Sequence, residues 1–166
     1  MNILFLDIDG VLTSQRVCTG MQSKCPRERL WSTFDPVAVS FINDHFDNGK
    51  WNIVISSSWR DCFRPRDLMM MLTMSGIKVP LHDEWRTERF PGQARGLEIN
   101  AWLTDNEMSG KTNYIILDDN SDMLLEQMPQ FVQTDGLDGM LSKHMHKIIE
   151  LKDKIEAQNE QYSSAS

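Results

Sequence analysis

Asp7 and Asp9 stand one residue apart where the apolar run of residues 2–6 ends, and Gly10 follows them. Two carboxylates at that spacing, ahead of a glycine that lets the chain bend tightly, can reach one reacting centre from different sides. Asp7 can aim at a phosphorus while Asp9 approaches from beside it. Carboxylates are established nucleophiles in phosphoryl transfer, forming an aspartyl-phosphate. Three other clusters have chemical potential. Ile53-Val54-Ile55 runs into Ser56-Ser57-Ser58-Trp59-Arg60, Arg95 opens the segment Arg95-Gly96-Leu97-Glu98-Ile99, and Ile115-Ile116-Leu117 ends at Asp118-Asp119. Taken singly, each has a plainer reading: an acidic turn, a serine helix cap, a solvated arginine, or an Asp cap on the next helix.

These clusters need a frame that brings strand ends together. The runs 2–6, 52–56 and 113–117 read as strands buried on both faces, with shorter candidates at 77–81 and 131–133. Helical spacing follows Asp35-Pro36 and stops at Asn48-Gly49. It recurs over 65–75, 96–104, 120–128 and 139–157. Strands alternating with helices predict an α/β fold, a three-layer Rossmann-like arrangement around a parallel sheet. In such sheets ligands bind beyond the carboxyl ends of the strands, where all three polar clusters fall. One domain over residues 1–157 is expected, with a polar tail at 158–166 that frays.

In the order Asp-x-Asp-Gly, strand-Ser, Arg, strand-Asp-Asp, the chain resembles the haloacid-dehalogenase-like phosphatases over most of its length. The resemblance implies that Asp7 is the nucleophile and that Asp9 is general acid, then general base. It makes Asp118 a magnesium ligand together with Asp7 and the backbone carbonyl of Asp9, with Asp119 and Asp122 orienting it. It also implies a serine that holds the phosphoryl oxygens. Equal strand lengths put Ser57 level with Asp7, while Ser58-Trp59-Arg60 is similar to the Ser-x-Arg of some polynucleotide end-healing phosphatases, so Ser58 competes. Arg60 could then grip phosphate bidentately. The remaining cation is Arg95 or Lys111. Arg95 is preferred, because Lys111 precedes the third strand and falls at its remote end. Gly10 and Trp59 join the substrate-binding candidates, with Trp59 either stacking on a base or packing in the core.

The stretch between the first motif and the Asp35-Pro36 helix is too short for a folded cap, so an open site with a basic flap at 14–30 is expected. Net charge is −7, which disfavours coating a long nucleic-acid lattice, whereas Arg16, Lys24, Arg27 and Arg29 form a locally basic segment. A compact anionic substrate or a phosphorylated nucleic-acid end fits this balance. No apolar run approaches the roughly 20 residues that span a bilayer. Met1–Asp7 lacks the basic region of a signal peptide, and Cys18, Cys25 and Cys62 lack metal-ligand spacing, so a reduced, cytoplasmic protein is expected. The predicted activity is magnesium-dependent phosphomonoester hydrolysis. The alternatives are a phosphotransferase or mutase acting on a small metabolite, and a silent module that binds a phosphorylated end.

Overall fold

The computed structural model describes residues 1–20, 34–108, 111 and 113–164. Five parallel strands form one sheet in the order β3-β2-β1-β4-β5. They are β1 (Asn2–Leu6), β2 (Trp51–Ile55), β3 (Leu81–Arg86), β4 (Tyr114–Asp118) and β5 (Phe131–Gln133). The helices are α1 (Gln15–Gly20), α2 (Pro36–Phe46), α3 (Trp59–Cys62), α4 (Pro65–Met74), α5 (Arg95–Asp105) and α6 (Ser142–Ser164), with a 3₁₀ turn at Leu125–Gln130. The chain fills the sheet on one side of β1 through β2 and β3, then returns to fill the other through β4 and β5. The order therefore reverses between β1 and β4, and a crevice opens there.

Side-chain alternation divides the core into two layers. Leu4, Leu6, Ile53, Ile55, Ile115 and Leu117 face α2, α4 and α6. Ile3, Phe5, Val54, Tyr114 and Ile116 face α5 through Ile99, Trp102 and Leu103. Phe5 is fully buried, with edge-on contacts to Trp102 at 5.2 Å and Tyr114 at 5.8 Å. Burial of one such ring stabilises the fold by about 1.5–3 kcal/mol. Helix α2 starts where Asp35 accepts a hydrogen bond from the Val37 amide and Pro36 presets the first turn.

Several expected boundaries shift. The strand expected at 77–81 lies later, at Leu81–Arg86; it is the sheet edge, half exposed, and has no apolar run to mark it. The segment 120–128 is not an α-helix, because Pro129 limits it to the short 3₁₀ turn. Helix α6 continues past 158 through Ser164, into the stretch expected as a polar tail. Asn159 donates to Asn2 Oδ1 at 2.7 Å and Lys50 pairs with Glu160 at 3.1 Å, which dock that last stretch. Of the expected flap at 14–30, α1 covers the first part and residues 21–30 lie outside the described residues. Among the described residues no second folded unit covers the crevice, and no helix is long and apolar enough to cross a membrane.

Candidate active site

The register fixes the centre. Leu6 pairs with Leu117, and the Asp7 amide donates to the Leu117 carbonyl at 2.9 Å, so Asp7 and Asp118 lie side by side beyond β1 and β4. Both continue the face covered by α5, because they alternate with Phe5 and Ile116. Asp119 completes the group: one carboxylate oxygen each from Asp7, Asp118 and Asp119 lies within 4.8 Å of the others. Glycines on two loops let Asp119 in. A Cβ at Gly10, whose φ is +70°, would stand 2.6 Å from the Asp119 side chain, and one at Gly136 would stand 2.8 Å from its Oδ2. Gly10 therefore has a packing reason of its own, beside Asp119.

Three like charges in a buried corner are costly, and the protonation equilibria register it. Burial raises the Asp7 carboxyl, against the pull of a Ser57 hydrogen bond and the Arg95 charge. Asp118 is pushed up to about 7 by burial and by the neighbouring Asp7, with Arg95 opposing. Asp119 is raised too, first by burial and then by Asp9. Asp118 Oδ2 is buried and accepts no hydrogen bond; its nearest cation is Arg95 Nε at 3.5 Å. An all-oxygen donor set with an orphaned buried oxygen fits a hard divalent cation. The carboxylates that come together are thus Asp7, Asp118 and Asp119. Asp9 is expected to join such a set through its backbone carbonyl, and its carboxylate is engaged elsewhere, accepting from Trp59 Nε1 at 2.8 Å and Thr13 Oγ1 at 3.1 Å.

Ser57 is buried, donates to Asp7 and accepts from the Trp59 amide at 3.3 Å. The register differs by one from the expected alignment: Leu6 pairs with Ile55, so Ser56 is level with Asp7. Ser57 reaches Asp7 because the chain turns after β2 into α3. Ser58 is exposed at the start of α3 and makes no cap hydrogen bond with its side chain. Arg95 begins α5, where its amide donates to Asp122 Oδ2 at 2.9 Å and the Gly96 amide donates to the Asp122 carbonyl. A Cβ at Gly96 would stand 2.4 Å from the Leu124 amide nitrogen, so the start of α5 is pressed against the loop after β4. That contact carries the Arg95 side chain to Asp118, and its Nη1 is buried without a partner. Lys111 is exposed ahead of β4, at the opposite end of that strand.

The expectation for Arg60 is corrected, and of the two readings of Trp59 the structure has core packing. Arg60 does not offer a bidentate grip to phosphate. Its side chain is 2% exposed and its five N–H donors are engaged: Nε with the Thr87 carbonyl, Nη1 with the Ser56 and Ser57 carbonyls, and Nη2 with the Glu88 carbonyl and Glu98. The burial follows from β3 and α5 closing over the end of β2, and Glu98 supplies the counter-charge at 2.6 Å. Trp59 is not a stacking platform. It is 9% exposed, with its ring against Phe34 and Phe63.

Glu98, Thr13 and Gly136 were not singled out by sequence reasoning. Glu98 sits three residues after Arg95 on one helix face, a spacing that could have marked it. Beside the carboxylates a polar cavity of about 140 Å³ is lined by Ser58, Asp61, Arg89, Gln93, Arg95 and Asp122, among others.

No curated protein matches the chain, and no solved structure matches it. A family model described as the HAD domain in Swiss Army Knife RNA repair proteins matches residues 3–145. With the parallel sheet and the crevice between β1 and β4, that match over most of the chain places it plainly: the protein belongs to the family of HAD domains found in Swiss Army Knife RNA repair proteins.

Proposed function

We propose that this protein is a magnesium-dependent phosphomonoesterase that works through an aspartyl-phosphate on Asp7. The observation that carries the reading is the convergence of Asp7, Asp118 and Asp119 within 4.8 Å, with the Ser57 hydroxyl and the Arg95 guanidinium directed at the same corner. A carboxylate oxygen of Asp7 attacks the phosphorus, and the O–P bond to the leaving alcohol breaks. Asp9 gives that alcohol oxygen its proton. Asp9 then takes a proton from water as the water oxygen attacks the phosphorus. The bond to Asp7 breaks, and inorganic phosphate leaves with both carboxyls restored. Ser57 and the unpartnered Nη1 of Arg95 hold the non-bridging oxygens. Asp7, Asp118 and Asp119, with the Asp9 carbonyl that the resemblance adds, would hold the magnesium ion, whose charge offsets the repulsion between these carboxylates and an incoming phosphate dianion.

The substrate we propose is a nucleotide or, better supported, the phosphorylated end of a nucleic acid. Three observations favour the end of a larger molecule: the RNA-repair context in the family's description, a crevice that no folded cap covers among the described residues, and the polar cavity that continues past Arg95 to Arg89. The test is phosphate release with magnesium from nucleoside 2′-, 3′- and 5′-monophosphates, from 3′- and 5′-phosphorylated oligonucleotides and from sugar phosphates, with Asp7→Asn as blank. Release from oligonucleotide ends above the nucleoside monophosphates is the expected pattern. Equal turnover by Asp7→Asn would sink the mechanism, and release from sugar phosphates alone would sink the substrate class.

A further inference from the structure

Asp9 has a demanding task in this reading, since a proton donor must sit within about 3 Å of the oxygen it serves. Yet it lies just after a bend at Ile8, exposed, directly before a glycine in the left-handed region. A short carboxylate there can turn freely unless something holds it. Two donors do. Thr13 Oγ1 reaches Oδ1 at 3.1 Å, but a hydroxyl rotates with whatever it binds. Trp59 Nε1 reaches Oδ2 at 2.8 Å, and an indole N–H is a donor only, fixed in the ring plane. The ring cannot follow Asp9, because Phe34 and Phe63 pack against it at centroid distances of 5.9 and 5.3 Å. Each carboxyl oxygen has two acceptor sites, so these bonds leave room for the proton that Asp9 must carry. The same residue's backbone amide donates to Ser57 Oγ, the hydroxyl that bonds Asp7.

We infer that Trp59 is a positioning residue for proton transfer, its indole N–H fixing the Asp9 carboxyl towards the leaving-group oxygen while its backbone amide fixes Ser57. The inference rests on the reading of Asp9 as general acid. It explains why a tryptophan beside a phosphate-binding serine is buried rather than offered to a base.

Leaving-group dependence tests it. An alkyl phosphate such as a nucleoside monophosphate needs a proton on departure, whereas p-nitrophenolate leaves well without one. The ratio kcat/KM reports the first phosphoryl transfer for both. Trp59→Phe removes the N–H and keeps most of the ring contacts. The expected loss in kcat/KM is roughly 10- to 100-fold on the alkyl ester and several-fold smaller on p-nitrophenyl phosphate. Asp9→Asn should show the same pattern, more strongly. Equal losses on both esters in Trp59→Phe, with Asp9→Asn still discriminating, would overturn the positioning role alone. Absence of discrimination in Asp9→Asn would overturn the acid role beneath it, and the inference with it. Should Trp59→Phe not fold, the indole N–H resonances decide. In Asp9→Asn one of the five should shift by loss of its charged acceptor, and five unmoved resonances would end the proposal.

Discussion

The two ends of the central strands are built on opposite electrostatic plans. At the amino ends, each charge of the cluster that ties α6 to the sheet has a partner. Glu156 accepts from Trp51 Nε1 at 2.7 Å and pairs with Lys152 at 3.1 Å, and Lys50 bridges Glu156 and Glu160. These bonds hold the Glu156 carboxyl below its ordinary range despite the burial that opposes them. At the carboxyl ends, carboxylates crowd together, Asp118 Oδ2 and Arg95 Nη1 are buried without hydrogen bonds, and Asp7, Asp118 and Asp119 are all raised. One end is arranged for stability and the other holds an electrostatic deficit that a cation and an anion can fill together. Perturbed groups in a cleft point to function for this physical reason.

Four outcomes would break or sharpen that contrast. Asp7→Asn should lower kcat by on the order of 10⁴-fold or more while raising the melting temperature of the cation-free protein, because one buried like charge is gone. A fall in both, by kinetics and calorimetry, would mean that the corner is built for stability after all. Arg60→Met leaves the buried Glu98 with only the longer Arg95 contact, at 3.9 Å, and the Phe90 amide, so it should cost about 3 kcal/mol in denaturant unfolding. Arg60→Met combined with Glu98→Leu should recover part of that loss.

The third outcome is a pH effect. Asp118 binds its proton more tightly folded, at about 7, than unfolded, near the ordinary 3.8. Between those values the native state holds more protons, so stability of the cation-free protein should fall as pH rises through that window. Magnesium should therefore raise the melting temperature more at pH 8 than at pH 5; at a hundred times its pH 8 Kd the whole stabilisation at pH 8 is about 2.7 kcal/mol. An equal shift at both pH values would separate cation binding from these carboxylates. The smallest effect is expected at the other end. Glu156→Ala strips the buried Trp51 N–H of its acceptor and should cost about 1–2 kcal/mol, with kcat/KM unchanged.

Much of this site was readable before the fold because its acids end uninterrupted apolar runs. Residues 2–6 before Asp7 and Tyr114–Leu117 before Asp118 are buried throughout, and parallel strands of that kind have a plain sequence signature. β3 was misplaced because an edge strand packs on one side only, so Leu81–Arg86 carries His, Asp, Glu and Arg in place of an apolar run. Arg60 was misread for a different reason. An arginine near a phosphate-binding serine can face outward to an anion or inward to carbonyls, and only the closure of the residue 87–88 loop and Glu98 over it decides. The Asp119 contacts depend on Gly10 and Gly136, far apart in sequence, and no local pattern encodes such a meeting.

The central position of β1 has a consequence for how the chain reaches this structure. Asn2–Leu6 hydrogen-bonds β2 on one side and β4 on the other, and its five side chains are all buried. It precedes both partners, and the second does not begin until Tyr114. During synthesis β1 thus waits with an unpaired apolar edge while most of the chain is made, a state open to wrong pairing with other strands. The carboxylates that close the chemistry, Asp118 and Asp119, arrive with that late partner. Completion of the sheet and completion of the site consequently depend on the same strand, and a chain that stops short of β4 lacks both the second partner of β1 and the two carboxylates.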